Sequence, residues 1–183
     1  MILQSESSLF CLTRQSSSKT IVGTSMENKI ILASSCLLGL CVNYRGSCHP
    51  HPDLIRLAEQ GHVVCFCPEQ GGGMPTPRIP SEIEHGMNSS QVLAGQAHVV
   101  NKEGHDVTAY YINGAKLIAE LANRIRPSLV VMREGSPSCG VNLIHDGTFT
   151  GTKIPGCGVS ACALKQLGYR IVSDTQFACS NPD

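Results

Sequence analysis

A chain of 183 residues with ten cysteines, four phenylalanines, four tyrosines and no tryptophan is long enough to bury one proper core and reads as a single domain. Its 14 basic and 14 acidic side chains cancel, no basic stripe runs along it, and its aromatics are too sparse for a base-stacking platform, which argues against a nucleic-acid polymer as partner. No run approaches the roughly 20 apolar residues of a membrane span, and so many thiols behind no signal-like leader point to a reducing compartment and to metal or redox chemistry rather than a disulfide scaffold.

Residues 1–27 lack periodicity and core-forming density and are expected to be disordered. Their apolar stretch, 9–12, is too short for a secretory h-region of about 7–15 residues. The segment is Ser-rich, with Arg14, Lys19 and Glu6. It reads as an extension ahead of a folded part that starts near Met26, with a weak organelle transit peptide as the alternative; a cytoplasmic protein is the expectation. Residues 28–33 form a short buried strand, and 34–46 a loop of small residues carrying Cys36 and Gly39. Leu54, Ile55, Leu57 and Ala58 fall at helical spacing over 52–60, and Gly61 ends that helix. A second strand covers 62–67. The stretch 68–80 holds three glycines and four prolines and reads as an irregular loop, of a length that is usually functional in a compact domain.

One or two short edge strands are expected within 92–100. Asp106 is placed to cap the strongest helix. In it Val107, Tyr110, Tyr111, Gly114, Leu117, Ile118, Leu121 and Ile125 keep a 3.6 period until Pro127. A third strand spans 128–132 and a tight turn 135–140. Asp146-Gly147 signals a hairpin over 143–151. A helix over 159–167 is closed by Gly168, and a last strand covers 169–173. This order predicts one α/β domain over 28–174, Rossmann-like and three-layered: a mainly parallel sheet with helices on both faces, plus small hairpins, followed by a tail at 175–183.

Three cysteines, Cys36, Cys67 and Cys139, each sit just past a strand-like run. In an open parallel sheet the loops beyond the carboxyl ends of the strands share one rim, where ligands bind. The three thiols are therefore expected to converge, and three cysteine ligands leave a fourth position open on a metal or an iron–sulfur cluster. One buried cysteine is ordinarily structural; three at equivalent strand ends favour a shared site. Cys139 lies among small residues that leave room for a bulky cofactor. Glu69, in Cys67-Pro68-Glu69, is a candidate acid/base. Ser136 could bind substrate or support Glu69. Arg78 and Glu82 could bind a polar substrate or pair with each other. Cys65 and Cys162 look like packing residues. Cys41 and Cys48, with His49 and His51, make a rival cluster whose spacing matches no standard zinc pattern.

Several motifs run in order through most of the folded part: Ser-Ser-Cys-Leu-Leu-Gly (34–39), Cys-Pro-Glu (67–69), Gly-Gly-Met-Pro-Thr-Pro-Arg-Ile-Pro-Ser-Glu (72–82), Asp-Val-Thr (106–108), Gly-Ala (114–115), Ser-Pro-Ser-Cys-Gly (136–140), Asp-Gly-x-Phe-x-Gly (146–151) and Gly-x-Gly-Val (156–159). By these motifs the chain, from 28 to about 174, resembles a widespread family that includes the thiouracil desulfidases. The resemblance implies a [4Fe-4S] cluster held by Cys36, Cys67 and Cys139, with one iron free of protein ligands. It places the family's functional acid on Glu69 and its serine on Ser136. It further implies a desulfidase in which that iron takes the sulfur of a thiocarbonyl and water replaces it on carbon, so that thiouracil becomes uracil and hydrogen sulfide without net redox. The expected partner is a small thiolated pyrimidine or related thioamide, with no membrane. The alternatives are transfer of the sulfur to an acceptor other than water, and a non-catalytic zinc or iron–sulfur module. Where many relatives carry a cysteine and an acidic residue, this chain has Val42 and Arg45.

Overall fold

The structure, a computed structural model, describes residues 29–178; the expected disordered extension at 1–27 and the last residues of the tail lie outside them. In chain order the elements are β1 (Ile31–Ser34), α1 (Pro52–Glu59), β2 (Val63–Phe66), α2 (Pro68–Gly71), β3 (Ser81–Ile83), α3 (Ser89–Leu93), β4 (Val99–Asn101), α4 (Thr108–Ile125), β5 (Leu129–Met132), β6 (Leu143–His145), β7 (Lys153–Pro155), α5 (Val159–Gln166) and β8 (Ile171–Ser173). A four-stranded sheet runs β2-β1-β5-β8 with every neighbouring pair parallel.

The strands are short apolar runs because both faces of the sheet are covered. Period-two alternation sends Leu32, Val130 and Met132 to one side, where they pack with Ile118 and Ala122 of α4 and Ala161 and Leu164 of α5. Ala33 and Val131 face the other side and meet Leu54 of α1, with Phe177 also packed there. The expected α/β fold, one parallel sheet with helices on both faces, is the observed one. No helix among the described residues is long and apolar enough to cross a membrane.

Several local expectations are corrected. The stretch 68–80 is not wholly irregular: Pro68, with its preset φ, starts the short helix α2. That turn packs backbone to backbone on α4, where a Cβ on Gly114 would lie 2.1 Å from the Pro68 carbonyl oxygen and one on Gly72 2.0 Å from that of Tyr110. Within 92–100 only Val99 and Val100 are in a strand; the preceding segment is α3, fixed by a reciprocal capping box between Asn88 and Gln91. β4 pairs antiparallel with β3, a strand that the prolines around it conceal in the sequence. Asp106 stands one residue before the N-cap of α4, Val107, and its Oδ1 accepts from the Thr108 N–H at 2.8 Å. The hairpin expected at Asp146-Gly147 is present as the antiparallel pair of β6 and β7, but it extends beyond 151 and its loop is longer than a two-residue turn. β6 and β7 are joined by residues 146–152, because the N–H groups of Gly147 and Phe149 turn aside to donate to Glu82 Oε2 at 2.9 and 3.1 Å.

Candidate active site

The side on which strands are added switches at β1, with all strands still parallel: β2 lies to one side of β1, while β5 and β8 lie to the other. The loops leaving the carboxyl ends there diverge and open a crevice. At that point lies a cavity of about 510 Å³, and Cys36, Cys67, Cys139, Glu69, Ser136, Arg78 and Glu82 all line it.

Each thiol is placed by backbone hydrogen bonds. Cys36 lies in a single 3-10 turn after β1, ended by Gly39 at φ 83°, a left-handed conformation that suits glycine. Its carbonyl accepts from His49 N–H at 2.9 Å. Cys67 caps α2, its carbonyl accepting from Gly71 N–H at 2.9 Å. Cys139 follows β5 in a loop resting on the start of α5: Gly158 N–H donates to Gly140 O at 2.8 Å and Ser160 N–H to Ser138 O at 3.0 Å. A Cβ on Gly158 would lie 2.4 Å from the Ser138 carbonyl, so only glycine permits that contact. Glu134 ties the same loop from its far side, accepting from the N–H groups of Val141, Asn142 and Leu143 at 3.0, 3.1 and 2.9 Å.

Burial pushes the Cys36 thiol up to about 12, with the neighbouring Cys67 adding to the shift. Burial also raises Cys67 and holds Cys139 well above its usual value; Cys67, Glu69 and Cys36 contribute at Cys139 by their charge. Three thiols from three strand ends thus feel one another inside one cavity, and without a metal each keeps its proton. Among the described residues no three His, Cys, Asp or Glu side chains are arranged to hold a single metal ion, and that includes Cys41, Cys48, His49 and His51.

Beside the thiols lies a hydrogen-bonded acid. Glu69 Oε2 pairs with Arg78 Nε at 2.7 Å, both side chains nearly buried. Ser136 Oγ donates to Glu69 Oε1 at 3.2 Å and accepts from Ser138 N–H and Cys139 N–H, each at 3.1 Å. Two donors on its oxygen turn the single hydroxyl proton toward Glu69, so Ser136 supports Glu69 and joins it to the Cys139 loop. Arg78 and Glu82 do not pair with each other. Arg78 grips Glu69, and its NH1 and NH2 donate to Val42 O at 3.2 Å each. Glu82 instead anchors the loop between β6 and β7, with His145 Nδ1 3.9 Å from its Oε1.

The sequence reading missed Tyr111 and His145 as cavity residues. Tyr111 lies on the buried face of α4, where period alone reads it as core; burial raises its phenol well above the usual value. The signal available was a polar tip at an otherwise apolar position. His145 sits on β6, and its buried Nδ1 has no hydrogen-bond partner.

Comparison with known proteins adds to this geometry. A family model described as 2-thiouracil desulfurase matches residues 31–176. The chain is 44% identical over 148 residues to an uncharacterized protein, YbbK, of Bacillus subtilis (strain 168), covering 81% of this chain and 97% of that one. It is also similar to a solved structure described as the [4Fe-4S]-dependent thiouracil desulfidase TudS, with TM-score 0.72 and 35% identity, over 81% of this chain and 93% of that one.

Proposed function

The chain belongs to the 2-thiouracil desulfurase family, and from that membership we propose that it is a [4Fe-4S]-dependent desulfidase that exchanges the sulfur of a thiolated pyrimidine for oxygen from water, releasing sulfide without net redox. The observation that carries this reading is the meeting of three thiols, buried at Cys36 and Cys139 and half-buried at Cys67, with the Glu69–Ser136 pair in one cavity.

The donor set fits such a group. Thiolates are the ligands that iron–sulfur clusters take. The three thiols share a cavity without closing on a single-ion site. One tetrahedral ion would draw its sulfurs in to about 2.3 Å, whereas a polynuclear cluster accepts them spread apart. Among the described residues no fourth cysteine lines the cavity, so Cys36, Cys67 and Cys139 would leave one iron without a thiolate. When bound, the cluster supplies a sulfur-affine Lewis acid at that open position.

The chain's own residues then have separable tasks. The apolar and small side chains around Cys139 exclude bulk water from a buried face. Glu69 Oε2 is engaged by Arg78, which leaves Oε1 as the atom that takes a proton from the attacking water or passes one to a ring nitrogen. Ser136 fixes Oε1 through its hydroxyl and, through Cys139 N–H, keeps it in register with the Cys139 ligand loop. Glu82 and His145 also line the cavity, where a ring bearing N–H and carbonyl groups would find both an acceptor and a donor. The atom balance is one thiocarbonyl and one water giving one carbonyl and one hydrogen sulfide.

The test is iron and acid-labile sulfide per chain after anaerobic purification, on wild type and Cys139→Ala, with 2-thiouracil turnover on the same samples. About four irons per chain with sulfide release, both lost in the variant, support the reading. Absence of iron after anaerobic reconstitution, with zinc bound instead, refutes it. A full cluster with no release of sulfide from any thiolated pyrimidine refutes the reaction while sparing the centre.

A further inference from the structure

Cys41 and Cys48 take no part in the thiol triad, yet the fold brings them together. They stand at the two ends of the loop whose Val42, Asn43, Tyr44, Arg45 and Ser47 form one wall of the cavity. The loop folds back on Asn43. Its N–H donates to Ser47 O at 3.4 Å, its carbonyl accepts from Gly46 N–H at 3.0 Å, and its Oδ1 accepts from the N–H groups of Arg45 and Ser47 at 2.9 Å each. Closing the turn at Asn43 and Ser47 apposes the residues on either side and sets Cys41 and Cys48 across the neck of the loop, where the Cys48 thiol acts on that of Cys41. Cys41 is exposed and Cys48 half-buried, and both are free thiols. The neighbouring Cys48 thiol holds that of Cys41 above its ordinary value.

The loop is fastened to the site beyond both thiols. Next to Cys41, the Val42 carbonyl receives both terminal nitrogens of Arg78, whose Nε holds Glu69. Next to Cys48, the His49 N–H donates to the carbonyl of Cys36. Whatever fixes the neck of this loop therefore bears on Glu69 at one end and on Cys36 at the other.

We propose that Cys41 and Cys48 are a thiol-oxidation site that reacts with a low-molecular-weight disulfide such as glutathione disulfide, and that the resulting bridge closes this wall of the cavity into a covalent ring. The exposed Cys41, as thiolate, attacks one sulfur of glutathione disulfide; the S–S bond breaks, one glutathione thiolate leaves, and a mixed disulfide remains on Cys41. The Cys48 thiolate then attacks the Cys41 sulfur and expels the second glutathione. Two protein thiols are oxidised, one small disulfide is reduced to two thiols, and the two protons pass to the departing thiolates. The site is distinct from the cluster ligands, and its oxidation is readable whether or not the proposed reaction occurs.

Arg45 lies between the two cysteines, which makes the bridge easy to identify. The full chain, purified anaerobically with its cluster, is equilibrated in glutathione buffers from reducing to oxidising, quenched in acid, alkylated and digested with trypsin without reduction. The expected result is a pair of peptides, 30–45 and 46–56, cut after Arg45 yet joined, with fragment sequencing placing the link on Cys41 rather than Cys36. Excess dithiothreitol separates them. In Cys41→Ser and Cys48→Ser the joined pair is absent, and the remaining cysteine carries glutathione instead. Separate alkylation of Cys41 and Cys48 at every buffer ratio overturns the proposal. So does a link from Cys48 to Cys36, or a glutathione adduct on wild-type Cys41 that persists without resolving.

Discussion

Removing the guanidinium of Arg78 should destabilise the chain mainly through what it does to Glu69. The two side chains are 4% and 12% exposed and meet at 2.7 Å. At an effective dielectric of 20, a pair at that distance attracts by about 6 kcal/mol, most of which offsets the desolvation of both ions. Arg78→Met leaves the carboxylate buried without its partner, and breaking such a pair costs about 3–5 kcal/mol. It also removes the donors to Val42 O and Pro75 O. The decisive comparison is a cycle. In Glu69→Gln, a neutral amide takes the place of the charge, and Arg78→Met in that background should cost about 2–3 kcal/mol less. Equilibrium urea unfolding of the cluster-free chain measures all four corners, read as midpoint shifts at constant m. A coupling below about 0.5 kcal/mol would refute the reasoning: Arg78 would then act as a clamp on the Val42 loop, and Glu69 would not depend on it.

Two further outcomes follow from the same geometry. Ser136→Ala removes the donor to Glu69 Oε1 and the acceptor of the Ser138 and Cys139 N–H groups; turnover of 2-thiouracil should fall by about 100-fold, with iron content retained, and Ser136→Thr should restore part of the loss. Loss of iron without loss of turnover per cluster would contradict that role. For the cluster-free chain the pH dependence has a definite sign. Folding raises the Cys36 thiol from near 9 to about 12, so the folded state binds more protons in that window. Its contribution is full below pH 9 and is lost as pH rises toward 12, at up to about 1.4 kcal/mol per pH unit. Urea unfolding at pH 8, 9 and 10 should show stability falling above 9, and Cys36→Ala should lessen the slope without abolishing it, because burial raises Cys67 and Cys139 as well.

Much of the core was legible because parallel strands covered on both faces are plain apolar runs: 31–34, 63–66 and 129–132 stand out without any knowledge of partners. The convergence of Cys36, Cys67 and Cys139 was legible for the same reason, since strand order and parallel direction put their loops on one rim. What escaped was decided by contacts between distant segments. α2 exists because Gly72 and Gly114 let two backbones touch, a pairing that neither segment announces alone. β3 is visible only through β4, and Glu82 belongs to it rather than to Arg78. Any pairing of Arg78 was expected with Glu82, four residues on; the guanidinium instead meets Glu69, nine residues back, and the fold alone settles that. Tyr111 obeys the period of α4 and is marked only by its polar tip, and His145, on a three-residue strand, carries no local mark as a cavity residue.

The way the Cys36, Cys67 and Cys139 loops are held bears on how a cluster would be acquired if, as proposed, these thiols hold it. In small zinc domains the metal supplies the folding free energy, and the apo chain is unfolded. Here each thiol hangs from a loop closed by the protein itself: His49 on the carbonyl of Cys36, Gly71 on that of Cys67, and Gly158 and Ser160 on the residues flanking Cys139. The sheet beneath is filled by apolar side chains that owe nothing to a metal. Such a site is preformed, with little conformational entropy left to lose on loading. The opposing cost lies in the thiols, which burial keeps protonated. Loading must release those protons, so the balance between apo and holo forms is set by proton affinity at three sulfurs more than by folding, and the same burial that disfavours bare thiolates would shelter the iron–thiolate bonds once they form.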